Sequence, residues 1–341
     1  MQKRILYPLL TLGVLLLALL TLWFVFSPAM RMAGEAAEFL SNGSPQEPPA
    51  SGKTRKMVEA VEDEIELPPL LTTQRTREVI ILMYHDIREE PAASAAVEAG
   101  FAVVSTDTFR AHLEALVGAG FQTASFADLI AFVDHGHALP ERFVVITFDD
   151  GYRSNLDLAA PILAEFGMCA TVSVIGIARG RDTYRDTDIP IIPHFTWDEA
   201  RPWVEQGVIH IGHHTHDMHM ARHLEPPETF RHGVLQREGE SETDFRAAFI
   251  ADFETLRNEI MRALGREVPV FTYPFGQHSA LTEALLYELG VRVTLITTPG
   301  VSTIEQGVPA SLFSLYRMNM HAEITGADLV LRLAEWHTPG Q

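Results

Sequence analysis

Apolar strands and amphipathic helices alternate from Glu78 to Trp336, and this alternation limits the fold more than any other feature of the chain. About seven strand–helix units fit into roughly 260 residues, a spacing typical of a parallel sheet closed as a barrel. The predicted strands are Val79–Tyr84, a strand beginning at Phe143, Ala170–Ile175, Val208–Ile211, Val268–Tyr273, Val291–Thr297 and Leu312–Tyr316. The predicted helices are Thr106–Gly118, Ser125–His135, Leu156–Phe166, Thr196–Gln206, Thr243–Leu264, Ser279–Leu289 and Gly326–Trp336. We therefore predict an α/β fold, an irregular (β/α)7 barrel.

An uncharged segment near the N-terminus, Ile5–Phe26, follows Lys3 and Arg4. As a helix it would span roughly 33 Å, enough to cross the apolar core of a bilayer. Because the positive residues precede this span, the chain after it should lie on the periplasmic or extracellular side. We predict that residues 1–27 are a single-pass anchor in the inner, cytoplasmic membrane. A cleaved signal peptide is the alternative, and it would export the rest of the chain as well.

Composition divides the rest of the chain in two. Residues 28–76 are rich in Pro, Gly and acidic residues, which predicts a flexible linker, and residues 77–341 form the folded domain. The net charge of −19 argues against nucleic-acid binding, because a phosphate backbone needs a basic surface. An acidic surface would instead tolerate or attract a cationic polymer. Cys169 is the only cysteine, so no disulfide can form within the chain.

Two adjacent carboxylates, Asp149 and Asp150, follow the buried strand that begins at Phe143, and Gly151 permits a turn after them. In open α/β sheets and barrels the chemistry gathers at the carboxyl ends of the strands. One carboxylate could hold a metal there while the other moves protons. A solvated Asp-Asp-Gly turn is the other interpretation of this motif taken by itself.

Five histidines lie within Ile209–His219, just after another predicted strand. Neutral imidazole is a common metal ligand, so the cluster favours a metal site over a polar loop that happens to contain histidine. His214 and His219 are five residues apart, which is not one face of a helix, so they would have to bracket a turn. Two further strand ends carry Leu82–Asp86, with His85 as a candidate acid or base, and Thr272–Gly276, whose Pro and Gly predict a stiff turn.

Together these four stretches resemble the polysaccharide deacetylase family, the carbohydrate esterases of family 4 with a NodB-type domain. Thr147–Gly151 reads Thr-Phe-Asp-Asp-Gly, as in the family's motif, and His214-Thr215 with His219 is similar to its paired-histidine motif. The spacing of five and the early Tyr-His-Asp resemble the branch that deacetylates poly-β-1,6-N-acetylglucosamine in biofilm export. The resemblance extends over about Val79 to Trp336 and identifies residues 77–341 as the catalytic domain.

The resemblance implies a role for each matching residue. Asp150, His214 and His219 would hold a divalent metal, expected to be Zn²⁺, with positions left for water and the substrate carbonyl. Asp149 would be the general base, and His85 would be the acid that protonates the leaving amine. The remaining implied site residues are the backbone N–H of Tyr152, as the oxyanion donor, and a substrate groove walled by Tyr273, Pro274, Phe275 and Gly276.

Three departures from the larger family leave alternatives open. The larger family carries its acid in a Leu-x-His near the C-terminus, and Leu315-Tyr316-Arg317 stands there instead, which favours His85 and keeps His321 as a rival. The larger family also has an arginine ahead of the Pro-containing motif, paired with the base. Only the distant Arg266 or Arg292 could substitute here. His213 stands where small residues are usual, either as an alternative ligand or as a group that supports the ligands.

We therefore expect an exported, anchored, metal-dependent enzyme that removes N-acetyl groups from an N-acetylhexosamine polysaccharide. The expected partners are this acetylated polymer, the membrane and polysaccharide synthesis or export proteins. One alternative keeps the site and changes the substrate, as in an O-acetyl esterase or a small-amide hydrolase. Another is a glycan-binding subunit of an export system without catalysis.

Overall fold

The molecule is built on a curled parallel sheet in an α/β fold. The computed structural model describes residues 75–90, 92–94, 102–220, 222–226 and 229–336, all within a unit that begins at Leu71. The strands are β1 (Thr76–Val79), β2 (Ile81–Tyr84), β3 (Asp86–Arg88), β4 (Val103–Ser105), β5 (Gln122–Thr123), β6 (Phe143–Phe148), β7 (Ala170–Val174), β8 (Ile209–His213), β9 (Val270–Thr272), β10 (Val293–Leu295), β11 (Ser302–Glu305) and β12 (Met318–Asn319). The helices are α1 (Thr106–Gly118), α2 (Phe126–His135), α3 (Ala160–Glu165), α4 (Trp197–Glu205), α5 (Glu242–Leu264), α6 (Ala280–Glu288) and α7 (Gly326–Trp336).

Eight strands form the main sheet in the order β10-β9-β8-β7-β6-β2-β12, with β5 beside β6, and every pairing is parallel. All six residues of β6 are buried, as expected for a central strand covered on both faces. The carboxyl ends of parallel strands lie on the same side of the sheet, so the segments that follow β2, β6, β8 and β9 meet there. Two small sheets, β1 with β11 and β3 with β4, lie beside the main sheet.

One short segment, residues 315–319, connects the two edges of the sheet. Leu315 donates its N–H to Thr294 O at 2.9 Å and accepts from the N–H of Ile296 at 3.1 Å, on the β10 side. A few residues later β12 pairs with Leu82 and Met83 of β2. Because one segment reaches both edge strands, the sheet must curl into at least a half-barrel.

The predicted α/β class and its strand–helix alternation are confirmed. The capping boxes of α2 and α4 also have the predicted partners, Ser125 with Asp128 and Thr196 with Glu199. The predicted strand Leu312–Tyr316 is wrong, because Pro309–Leu312 forms a 3-10 turn and the strand starts at Met318. Pro309 has no N–H to donate to a sheet, which favours the turn.

The helix predicted over Leu156–Phe166 is present, but only its second half is α-helical. It begins as a π-turn over Asn155–Ala159, and α3 itself starts at Ala160. Pro161 cannot donate a backbone hydrogen bond to the preceding turn, so the α-helical pattern starts beside it.

The predicted anchor over residues 1–27 lies outside the described residues, as does nearly all of the predicted linker over residues 28–76. No helix in the described part of the chain combines the length and the apolarity needed to cross a membrane.

Candidate active site

The two aspartates occupy the turn that leaves the carboxyl end of β6. Asp149 donates its N–H to Tyr84 O at 3.0 Å, which ties it to the end of β2. Asp150 and Gly151 both have positive φ, 75° and 85°. A side chain at Gly151 would start 3.2 Å from Val174 Cγ1, so the glycine lets the turn lie against β7. A non-glycine residue in the left-handed region is strained, and such strain is typical of functional sites.

Asp150, His214 and His219 form a cluster that can hold a metal ion. Asp150 Oδ1 lies 3.5 Å from His214 Nε2 and 3.6 Å from His219 Nε2, and the three donor atoms all fall within 4.8 Å of one another. Tetrahedral zinc with bonds of about 2.1 Å separates its ligands by roughly 3.4 Å. The separations and the N₂O donor set therefore fit a divalent metal, with room for further ligands.

The surroundings of the cluster set the tautomer of His214 and the protonation state of His219. His214 Nδ1 lies 2.8 Å from Thr272 O. A carbonyl only accepts, so Nδ1 carries the proton and Nε2 presents its lone pair to the metal position. Burial lowers the pKa of His219 to about 4, which keeps this imidazole neutral near pH 7. Burial by itself would raise the pKa of Asp150, but the neighbouring imidazoles of His214, His219 and His85 hold it well below its usual range.

Asp149 is held by a buried arginine that the sequence did not reveal, Arg317. Arg317 Nη1 and Nη2 donate to Asp149 Oδ1 and Oδ2 at 2.7 and 2.8 Å, and the arginine is fully buried. Burial favours the neutral acid, but the guanidinium outweighs it and lowers the pKa of Asp149 below its ordinary value. Arg317 also donates through Nε to Ile296 O at 2.8 Å, which fixes its orientation. Asp149 is thus an oriented, ionised carboxylate.

The proposed substitutes Arg266 and Arg292 were wrong. Arg292 binds Asp134 at 2.7 Å, and Arg266 lies close enough to His210 to affect its pKa. Arg317 directly follows a predicted buried strand, as the other site residues do, and this position was the signal that could have identified it. The larger family carries its acid histidine at the position of Arg317. The comparison with that family therefore did not identify Arg317 as the partner of Asp149.

His85 lies beside Asp149, at the end of β2. Its Nε2 is 4.0 Å from Asp149 Oδ2, and about a quarter of its side chain is exposed. Asn155 Nδ2 donates to the His85 carbonyl at 2.7 Å and fixes the backbone after β2. The rival His321 instead lies near His112, whose pKa it lowers.

The backbone of Tyr152 forms an isolated antiparallel bridge with His194. The hydrogen bonds run from Arg153 N–H to Pro193 O at 2.7 Å and from Phe195 N–H to Gly151 O at 3.3 Å. In this type of pair the N–H of the central residue points away from the partner strand. The Tyr152 N–H is thus directed away from His194, which is compatible with the predicted oxyanion donor.

His213 is a supporting residue rather than an alternative ligand. Its Nε2 lies 3.0 Å from Phe253 O, and its Nδ1 accepts the N–H of Thr215 at 3.0 Å. Both ring nitrogens are used in these contacts, and the ring stacks on Phe253 with centroids 4.5 Å apart. Burial lowers the pKa of His213 to about 3, so it is neutral.

The predicted groove residues divide into two kinds. Tyr273 and Pro274 are buried in the core, so the expectation that they wall a groove was wrong. They turn inward because the ring of Tyr273 packs edge-on against Phe271 of β9. Phe275 is 42% exposed, and its ring centroid lies 4.4 Å from that of His219. A Cβ atom added at Gly276 would lie 2.2 Å from Thr297 Oγ1, so only glycine fits at the position that follows Phe275.

A groove of about 1120 Å³ opens beside Asp150 and His219. Much of its wall comes from the predicted loop Arg179–Phe195, including His194, and Tyr152 lies on its floor. Arg185 joins this loop to Asp217 at 2.6 Å and to Glu225 at 3.1 Å. The sequence predicts that the polar stretches Arg179–Phe195 and Glu225–Glu242 are loops that shape the groove. It did not predict their path, because loops without periodicity carry no such signal.

Comparison with known proteins identifies a domain. Residues 136–294 match the family model for polysaccharide deacetylase. The chain thus contains a polysaccharide deacetylase domain. Polysaccharide deacetylases are hydrolases, and NodB-type deacetylases depend on a metal. Asp149, Asp150, His214 and His219 all lie within the matched residues.

Two curated relatives and one solved structure are similar to this chain. YxkH of Bacillus subtilis, named as a candidate polysaccharide deacetylase, is 25% identical over 80% of this chain and 82% of its own length. The poly-β-1,6-N-acetyl-D-glucosamine N-deacetylase of Escherichia coli is 22% identical over 67% of this chain. The match covers only 35% of that longer protein. The structure of a de-N-acetylase from Aggregatibacter actinomycetemcomitans superposes with a TM-score of 0.63 at 20% identity, covering 75% of this chain and 99% of that one. At this identity the superposition supports the fold.

Proposed function

We propose that this chain is a metal-dependent N-deacetylase of an N-acetylhexosamine polysaccharide, poly-N-acetylglucosamine or a related exopolysaccharide. The observation that carries the proposal is the pairing of Asp149 with Arg317 next to the Asp150–His214–His219 cluster. Amide hydrolysis needs an ionised base beside an activated water, and this geometry supplies both.

Each residue of the site has a defined task in the proposed reaction. A divalent metal bound by the cluster, proposed to be Zn²⁺, would lower the pKa of a water and polarise the acetyl carbonyl. Asp149 takes the proton of the attacking water, and Arg317 keeps this carboxylate ionised and oriented until then. The N–H of Tyr152 donates to the oxygen that gains negative charge.

The leaving group needs a proton, because an amine anion is too basic to depart. His85 lies close enough to Asp149 to share the same reaction centre, and a quarter of its side chain is exposed to solvent. We propose that His85 carries the proton to the leaving nitrogen, so that Asp149 and His85 act as base and acid on opposite sides of the scissile bond.

Several observations support a polysaccharide as the substrate. The name of the Escherichia coli relative specifies a β-1,6-linked N-acetylglucosamine polymer, and His214 and His219 have the five-residue spacing of the branch that the sequence resembles. Phe275 presents an exposed aromatic face next to the ligand His219, and such faces stack well on the apolar side of a sugar ring. The groove that opens beside His219 has a volume of about 1120 Å³, at the upper end of the roughly 300–1,000 Å³ usual for small-ligand sites.

The cellular setting is part of the proposal. We propose that residues 1–27 anchor the chain in the inner membrane, that residues 28–76 form a linker, and that residues 77–341 act on the periplasmic or extracellular side as an irregular (β/α)7 barrel. The uncharged segment Ile5–Phe26 after Lys3 and Arg4 supports this arrangement. Proteins that synthesise or export the polymer are the proposed partners.

The proposal is tested by acetate release from acetylated oligomers by the full chain. Asp149→Asn should lose on the order of 100-fold or more in rate while it keeps its metal, because a general base contributes that much. Asp198→Asn, a substitution of the same type at a side chain that is 92% exposed, is the matched control. Wild-type turnover by folded, metal-loaded Asp149→Asn would exclude the mechanism.

The same assay separates the substrate classes. The expected order of rates is β-1,6 N-acetylglucosamine oligomers above β-1,4 oligomers, with O-acetylated oligomers slowest. A preference for O-acetyl groups would make the chain an esterase instead. If turnover continued at the same rate in the presence of a chelator, the reaction would not require a metal.

A further inference from the structure

The two histidine ligands are joined by a short turn that needs outside support. We call Thr215–Met218 the ligand loop, because it lies between His214 and His219. Thr215 is a β-branched residue with a φ of +70°, a conformation that such residues adopt only under constraint. If the loop relaxed, the two imidazoles would no longer converge on Asp150. The structure must therefore contain groups that hold the loop in place.

Asp252, on helix α5, supplies the main contact. Its Oδ1 accepts the N–H of His216 at 2.8 Å, and its Oδ2 accepts the N–H of Asp217 at 2.6 Å. Burial raises the pKa of Asp252 to about 6, so the carboxylate is mostly ionised above neutral pH and both oxygens accept. Charge-assisted hydrogen bonds of this kind are stronger than neutral ones.

The next residue of α5 reaches the same loop through His213. The Phe253 carbonyl accepts from His213, and His213 in turn accepts the N–H of Thr215. Met218 donates its N–H to Thr215 Oγ1 at 3.2 Å. Each of the four backbone N–H groups in the ligand loop thus has an acceptor, and two of the four acceptors are the oxygens of Asp252.

On the opposite side the loop is held by the turn after β7. Gly176 donates its N–H to Thr215 O at 3.0 Å, and Ile177 donates to His216 O at 2.8 Å. A Cβ on Gly176 would lie 2.7 Å from the His216 ring, so the two turns are in tight contact. These contacts come from backbone and would survive a change at position 252, which isolates the contribution of Asp252.

We propose that Asp252 is a positioning residue of the metal centre, which sets the spacing of His214 and His219 through the backbone of the ligand loop. It touches neither the metal position nor the substrate groove in the proposed reaction, so its effect is on metal binding. The inference rests on the metal centre of the proposed function, but it does not depend on the identity of the substrate. Outer groups that orient metal ligands are typically worth 10–100-fold in metal affinity.

The test measures Co²⁺ binding to the full chain, stripped of metal, near neutral pH and without substrate. In Asp252→Asn the side-chain amide turns an NH₂ group towards one of the two backbone N–H donors, so one hydrogen bond is lost. We expect Co²⁺ affinity to fall by about 10- to 100-fold and the visible spectrum of bound Co²⁺ to change, because the ligand geometry changes. Asp244→Asn, on the same helix and bonded to Ser241, should retain wild-type affinity and spectrum.

Wild-type Co²⁺ affinity and spectrum in folded Asp252→Asn would overturn the proposal, even if its melting temperature fell. If Asp252→Asn does not fold, His213→Phe decides, since it keeps the ring stacked on Phe253 and removes the contact with Thr215. A normal Co²⁺ site in that variant would equally overturn the inference. Because no acetate is measured, a wrong substrate assignment leaves this result unaffected.

Discussion

At the scale of single residues, the pair of Asp149 with Arg317 has the largest consequences. Both side chains are removed from water, and their two parallel hydrogen bonds are 2.7 and 2.8 Å long. Removing one partner of such a buried pair leaves the other charge without compensation, which is costly. The pair therefore links the stability of the domain to the readiness of the base.

We predict that Arg317→Met lowers the free energy of unfolding by about 3–5 kcal/mol, because Asp149 remains buried without a partner. Urea denaturation of the metal-free chain measures this loss. Adding Asp149→Asn to Arg317→Met should recover part of it, since no buried charge remains. Arg292→Met, at a partly exposed pair with Asp134, is the control and should cost less than about 1 kcal/mol. Equal losses for the two arginines would contradict the prediction.

The proposed acid, His85, can also be tested by a single substitution. We predict that His85→Gln lowers kcat for N-acetyl oligomers by about 10²- to 10⁴-fold, because the leaving amine loses its proton donor. Metal content should be unchanged, since His85 is not a ligand. His321→Gln is the matched control and should keep its kcat, because His321 lies near His112 instead. If His321→Gln lost kcat and His85→Gln kept it, the acid would be His321 instead.

At the scale of elements, the predicted loop Glu225–Glu242 is more ordered than its sequence suggests. Arg231 donates to both carboxylate oxygens of Glu240, at 2.8 and 2.6 Å, and their side chains are only 4% and 6% exposed. Arg231 also donates to Leu235 O at 2.9 Å. A buried ion pair thus supports this segment beside the buried side chain of Val234, just before α5.

This pair gives a pH-dependent prediction. The hydrogen bonds from Arg231 lower the pKa of Glu240 to about 2 in the folded protein. A lowered folded-state pKa stabilises the protein above the unfolded value of about 4.3, and the stabilisation is lost as the pH falls towards the folded value. Glu240→Gln should therefore cost roughly 2 kcal/mol at neutral pH, and the cost should shrink as the pH is lowered from about 5 to about 2. Urea denaturation across this range checks it, with exposed Glu205→Gln as the control. A cost independent of pH would contradict it.

The elements also show what sequence patterns can and cannot predict. Helix α1 and helix α7 have the predicted ends, because their apolar faces repeat with the period of a helix over many residues. The Asp150, His214 and His219 cluster was predicted because their two motifs come after predicted strands and resemble the metal-binding motifs of the family. Arg317 and the ligand-loop contacts of Asp252 were missed, because both arise from side chains that meet across long distances in the chain. No local pattern records such contacts.

At the scale of the whole molecule, a metal bound by the Asp150–His214–His219 cluster would join two separate parts of the chain. Asp150 follows β6, and His214 and His219 follow β8, so a bound ion bridges strands that are separated by β7. A ligand that binds only the folded state stabilises it, by about 2.7 kcal/mol at a hundredfold excess over its Kd. For a domain of this size that corresponds to a few degrees in melting temperature.

We therefore predict that adding Zn²⁺ to the metal-free chain raises the melting temperature by about 5 °C, and that a chelator reverses the shift. Differential scanning fluorimetry measures both. His219→Ala should abolish the shift, whereas His223→Ala, a substitution outside the cluster at an exposed side chain, should keep it. A shift that persists in His219→Ala would place the stabilising metal elsewhere.

The segment that connects the two sheet edges, residues 315–319, also determines when the site around Asp149 is completed. Residues 315–319 come after every other site residue in the chain, so they leave the ribosome last among them. Until they arrive, Asp149 has no Arg317 beside it and the edges formed by β2 and β10 are not joined. A nascent chain that has already produced both aspartates and the histidines of the cluster still lacks the buried partner of Asp149. In the proposed mechanism, the base is therefore oriented only once residues 315–319 are in place.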